Sequence, residues 1–277
     1  MTSLITVRTD DRLRLAGALL AASDWPEYEQ TVKAYKPHRV ADAAAKAFAA
    51  LRGHPAVQAA RALAGQGEGL DQLYSQALTG EWPDGQTAAV AAFREAAGLE
   101  LFVAEYAADF EQAEADARAV LARADLGQFL VDLAGPAARA WVFTPNLLFP
   151  GRQRVAGLAP AELVVASHPP IAWGSSQPWR YSERPDEALA LISEAFARRV
   201  LAQAGVTAEV WGAAAAVLFL REAEGPAAGD QYLVMEKKAR GLKTLPAAVA
   251  ALEPLLAARR AGQYPGGVRD YAGQLTV

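Results

Sequence analysis

The residues best placed to do chemistry lie in Leu191-Ile192-Ser193-Glu194-Ala195-Phe196-Ala197-Arg198-Arg199-Val200-Leu201, where one carboxylate, Glu194, sits in an apolar frame at helical spacing. A helix that binds zinc for peptide hydrolysis carries two histidines four residues apart on one face and a glutamate beside the first. The imidazoles hold the metal, and the glutamate takes a proton from its bound water. Here Ser193 and Ala197 occupy the two ligand positions. A methyl group holds no metal, and a hydroxyl in this setting is a poor ligand, so the pattern keeps the base and lacks the metal. A carboxylate with neither metal nor nucleophile beside it has little to act on. Arg198, one turn further on, is spaced to pair with it as an ordinary helix-surface ion pair.

The other chemistry-bearing residues are sparse. There are three histidines, His38, His54 and His168, and no two of them stand at helical ligand spacing. His38 follows Lys36-Pro37 and His54 precedes Pro55, so both are expected at helix boundaries, where an imidazole satisfies backbone groups. His168, in Ser167-His168-Pro169-Pro170, follows a strand pattern and precedes an aromatic loop with Trp173, Trp179 and Tyr181. It is the histidine best placed to line a cleft, while the aromatics serve either as a recognition surface or as packing between lobes. Ser167, Ser175, Ser176 and Ser193 stand in no G-x-S-x-G elbow, so they are assigned to loop geometry rather than to a nucleophile. Gly65-x-Gly67-x-Gly69 lacks the lysine and the strand-to-helix setting of a phosphate loop.

Composition narrows the classes further. A chain of 277 residues with 52% apolar and 21% charged residues can bury a sizeable core and excludes a disordered protein. The net charge of −4 lacks the positive excess that phosphate-backbone binding needs, so no nucleic-acid partner is expected. The basic clusters Lys237-Lys238 with Arg240 and Lys243, and Arg259-Arg260, are short and read as solvated helix faces. The absence of cysteine removes disulfides, thiol catalysis and every cysteine-based metal site. Leu15 to Ala22 is apolar but follows Asp10 and Asp11, so it reads as a first amphipathic helix rather than a secretory signal. No apolar run reaches the roughly 20 residues that cross a bilayer. A cytoplasmic protein without membrane contact is the expectation.

The elements that must position these residues follow from punctuation and periodicity. Leu4 to Val7 is a short strand, and Asp10 or Asp11 caps a helix to about Ala22. Lys36-Pro37, Arg52-Gly53-His54-Pro55, Gly65 to Gly69 and Trp82-Pro83-Asp84-Gly85 separate further helices. From Thr87 to about Leu133 the spacing predicts one or two long helices. Near Gly135-Pro136 the period changes, and short strands are expected over 139–149, 153–157 and 162–167. Pro185-Asp186-Glu187 opens the helix that carries Glu194, and Thr207 caps the next. The predicted fold is mainly α (α+β): a helical lobe over 1–135 and a second lobe over 136–277 with a small β-sheet and C-terminal helices, with one continuous domain as the alternative.

Together these stretches resemble a bacterial family of zincin-like metallopeptidases of gluzincin type, which couple a helical N-terminal lobe to a catalytic lobe. The resemblance rests on the early strand and helix, the stretch with His54-Pro55-Ala56-Val57, the strands around Leu147 and Val164, and the helix from Glu187 to Leu201. Arg240-Gly241-Leu242 and the Tyr264-Pro265 turn before Tyr271 extend it towards the end. It implies that Ser193 and Ala197 align with the two ligand histidines and Glu194 with the general base. The third, glutamate ligand of a gluzincin is left in doubt over 208–221, where the one acid before Glu222 is Glu209, at the start of the stretch. The implied protein keeps the scaffold of a zinc peptidase without its metal or any other cofactor. Its expected activity is to bind a peptide or protein in a remnant cleft formed by His168, Trp173, Ser193, Glu194, Ala197 and Arg198. Two alternatives stand beside this: a hydrolase of unusual design using Glu194 and His168, and a structural or oligomerising module.

Overall fold

The computed structural model describes residues 4–25, 36–136, 139–148, 154–170, 172 and 177–275. The fold is mainly helical with one small four-stranded sheet. The chain forms two compact units, and neither is a contiguous piece. One comprises Val7–Arg118 and Val142–Arg184; the other comprises Met1–Thr6, Ala119–Trp141 and Pro185–Val277. This differs from a single cut near residue 135, because the strands after that point pack with the early helices.

The first unit holds α1 (Asp11–Ala22), α2 (Arg39–Ala47), α3 (Pro55–Ala64), α4 (Gly69–Thr79), α5 (Gln86–Ala96), α6 (Leu99–Glu105) and most of α7 (Ala107–Leu121). Asp10 caps α1 by accepting from the Arg12 amide at 3.0 Å. The region expected as one or two long helices is broken more often: Gly98 takes a positive φ of 54° before α6, and Tyr106 separates α6 from α7. The breaks let Phe93 and Phe102 both meet Phe48, with ring centroids 6.4 and 5.0 Å apart.

The sheet has the order β1 (Ile5–Val7), β2 (Ala140–Pro145), β4 (Glu162–Ser167), β3 (Arg154–Leu158). β3 and β4 run antiparallel, from Arg154 opposite Ser167 to Leu158 opposite Leu163. β3 is an edge strand, and α4 satisfies its outer amides. Asp71 accepts from the Ala156 N–H at 2.9 Å and Ser75 from the Leu158 N–H at 3.1 Å. Such cover removes the exposed ladder that makes an edge prone to pairing with other chains. Gly157 permits the approach, since a Cβ there would lie 2.5 Å from Leu78.

The second unit is built from α8 (Leu126–Ala134), α9 (Pro185–Ala202), α10 (Glu209–Ala223), α11 (Pro226–Ala239), α12 (Leu245–Arg260) and the short α13 (Val268–Tyr271). In α10 every residue from Val210 to Leu220 is buried. A helix apolar on all sides belongs in the middle of a bundle. Small residues bring its neighbours close: a Cβ on Gly212 would sit 3.0 Å from Arg198 Cβ on α9, and one on Gly229 of α11 would sit 2.6 Å from the Val217 carbonyl oxygen. The Tyr271 hydroxyl donates to the Leu133 carbonyl at 2.6 Å and ties α13 to the end of α8.

Candidate functional site

Glu194 lies on the buried stretch of α9, with Ser193 and Ala197 buried beside it. Both of its carboxylate oxygens are engaged. The Tyr232 hydroxyl, from α11, donates to Oε2, and Arg240, just past the end of α11, donates from Nη1 to Oε1 at 2.6 Å. The same guanidinium reaches Glu236 Oε2 at 2.6 Å and also holds Glu209 of α10. Burial would lower the pKa of Arg240, but the charges and hydrogen bonds of Glu194 and Glu236 outweigh that and raise it well above the ordinary arginine value. The guanidinium is a permanent cation among three carboxylates.

This geometry corrects the sequence reading of Arg240. Its side chain is only 19% exposed, so it belongs to the buried network rather than to a solvated face. Lys237 and Lys238 are exposed as expected. Arg260, from the other basic cluster, is likewise engaged: it bridges Asp132 on α8 at 2.7 Å and Glu222 on α10 at 2.7 Å. Ser193 donates to the Ala190 carbonyl at 3.2 Å, a back-bond within its own helix. Tyr232, Glu236 and Glu209, which complete the network, were not singled out in the sequence. The readable signal was the spacing Tyr232, Glu236, Arg240, which recurs every four residues and marks one helix face.

The histidines fall into two kinds. His38 and His54 are helix N-caps: their Nδ1 atoms accept from the amides of Val40 at 3.2 Å and Ala56 at 3.3 Å. Both therefore have the boundary role that their neighbouring prolines suggested. Burial, with the charge of Arg39, holds the His38 pKa below the usual imidazole value against the opposing pull of Asp109. His168 is buried after β4 with Nδ1 2.5 Å from the Pro169 carbonyl oxygen, so Nδ1 is the donor there, since a carbonyl oxygen only accepts. It belongs to the first unit and Glu194 to the second. Trp173, Ser175 and Ser176 lie outside the described residues. Tyr181 is core rather than recognition surface, since its hydroxyl donates to the Ser167 carbonyl at 2.7 Å and its ring meets Phe143 edge-on. Trp179 is partly exposed beneath the guanidinium of Arg184. Among the described residues, no group of three or more His, Cys, Asp or Glu side chains is arranged to hold a metal ion.

A concave site absent from the sequence reading lies within the first unit. A cavity of about 410 Å³ opens between the start of α1 and the run α5 to α7, with Leu99, Val103 and Phe110 on its floor. Arg14 lies over the Phe110 ring, 4.4 Å from its centroid, and donates to Asp11 at 2.6 Å. Asp11, Glu100, Glu111 and Glu114 give the lining an acidic rim. Glu100 receives Arg94 at 2.6 Å, and Glu114 accepts the Thr9 amide at 3.0 Å. From Leu99 to Leu121 the chain carries six acids against one base, more negative charge than the net −4 of the whole protein.

Comparison of the chain with protein-family models, with curated proteins and with solved structures finds no match in any of the three.

Proposed function

We propose that this protein is a non-catalytic, zincin-like scaffold that binds a peptide or protein segment. The observation that carries the reading is the state of Glu194: each oxygen has its own donor, Tyr232 or Arg240. A general base must be within reach of the proton it takes, and here the carboxylate is buried and serves as counter-ion to a buried arginine. The flanking Ser193 and Ala197 supply no imidazole and are buried. The segment expected to line a remnant cleft is thus packed as core, and the binding surface in this reading is the cavity floored by Phe110. Its volume is in the range that accepts a small molecule or a few side chains of a partner.

A cytoplasmic location belongs to the same reading. The apolar run Leu15 to Ala22 lies within α1, whose Leu19 and Leu20 are core. Among the described residues no helix is long and apolar enough to cross a membrane.

The test is digestion of a mixed peptide library, with and without added zinc, read by mass spectrometry. No cleavage under either condition is expected. Zinc-dependent cleavage that Glu194→Gln abolishes would overturn the reading.

A further inference from the structure

The acidic groove has a complement elsewhere on the same chain. On α11, Val234 and Met235 are 63% and 45% exposed, two of the few large apolar side chains that face solvent. Lys237 and Lys238 follow them, exposed and without an ion pair among the described residues. Val234 lies three residues before Lys237 and four before Lys238, so apolar and cationic groups share one helical face. The groove offers the opposite: an apolar floor and a rim of four acids against Arg14 and Arg94, in which Asp11, Glu100 and Glu114 are held by arginines while the Glu111 side chain has no hydrogen bond or ion pair among the described residues. Leu101, 80% exposed, stands one turn from Ala104 of the lining and extends the apolar surface.

We propose that the groove of one copy receives the Val234–Met235 face of α11 from a second copy, with Lys237 and Lys238 set against the acidic rim. This rests on the reading of the groove as a site for a protein segment and names its occupant. The mode is a helix laid in a groove, with apolar anchors giving affinity and charge giving orientation. The two surfaces are different patches of one molecule, so the contact is heterologous: it propagates head to tail and ends only if the rotation closes a ring. Salt weakens the contact by screening the rim.

Sedimentation velocity over a concentration series tests this with two variants that alter exposed positions. Ala104→Arg with Glu111→Lys blocks the groove; Val234→Glu with Met235→Glu spoils the inserted face. The expected result is a mass that grows with concentration for the unaltered protein and falls back as salt is added. Each variant alone stays monomeric, its association weakened more than about tenfold. An equimolar mixture of the two, which has one intact groove and one intact face per pair, forms a species of two chains and nothing larger. Association that neither variant changes would overturn the proposal, as would an unaltered protein that stays monomeric at every concentration. In that last case a synthetic lysine-rich amphipathic peptide separates the two claims. Binding that Ala104→Arg removes would retain the groove as a peptide site with a foreign occupant, and no binding would remove the peptide-site reading as well.

Discussion

Glu194 Oε1 and Arg240 Nη1, separated by 46 residues in the chain, lie 2.6 Å apart with both side chains largely out of water. Burying two charges costs several kcal/mol of hydration each, and the mutual attraction offsets this only while both partners are present. The pair therefore reveals itself through what happens when one side is changed.

Glu194→Gln keeps the shape and an acceptor for Tyr232 but places a neutral amide against the Arg240 guanidinium. Arg240 retains Glu236 and Glu209, so the loss is moderate, about 1–2 kcal/mol by denaturant titration. A stability unchanged within error would show that the pair is not part of the structural core.

Arg240→Met is the more damaging change, because it removes the 2.6 Å cationic partner of a buried carboxylate. About 3 kcal/mol of destabilisation is expected at neutral pH. The deficit has a definite pH dependence. A buried carboxylate that has lost the Arg240 charge has a folded-state pKa raised relative to the unaltered protein, so the penalty is greatest at neutral pH and disappears as pH falls below the unfolded value of about 4.3, where the group is protonated in both states. Denaturation of both proteins at neutral and acidic pH reads the effect as a gap that narrows on acidification.

His38 supplies a second pH effect. Its Nδ1 accepts the Val40 amide, so a proton there breaks the cap of α2. Its folded pKa is lowered from 6.5, so the stability tied to the neutral imidazole is full above 6.5 and is lost as pH falls through the folded value. His38→Asn keeps a capping acceptor that does not titrate. Its stability should fall less than that of the unaltered protein between about pH 7 and pH 5. Parallel curves for the two proteins would exclude the cap as a titrating element.

Gly229→Ala places a methyl group 2.6 Å from the Val217 carbonyl oxygen and 2.4 Å from Arg221 Cγ. Either α11 moves away from α10 or the contact is strained, and about 1–3 kcal/mol of destabilisation follows. A shift in α11 also draws Tyr232 away from Glu194. Thermal unfolding combined with the near-ultraviolet signal of the buried tyrosine checks both consequences.

How far these features are legible in the sequence differs by element. His38 and His54 were readable as boundary residues, since a neighbouring proline fixes where a helix begins and an imidazole there has an amide to accept from. The strands expected over 153–157 and 162–167 are found at Arg154–Leu158 and Glu162–Ser167, and the proline-marked turns that bound them were the readable signal. Arg240 was not, because a short basic run looks the same whether it faces water or a buried acid. What buries it is the approach of α11 to α10 at Gly229, a tertiary fact. The groove was hidden for a different reason. Its floor residues Leu99, Val103 and Phe110 share one face even of an unbroken helix, and what makes that face a groove is the start of α1 standing opposite it, which local spacing does not encode. The division into two units depends on strands near residues 140–167 pairing across long stretches of chain, which local patterns do not encode.

The most direct measurement is the zinc content of purified, chelator-free protein by elemental mass spectrometry, with a thermal-shift titration against zinc alongside. A helix whose Ser193 and Ala197 offer no imidazole and whose Glu194 is held by Arg240 should retain no zinc and show no shift. Stoichiometric zinc that stabilises the fold and is lost in Glu194→Gln would contradict the assignment of Glu194 to a structural ion pair.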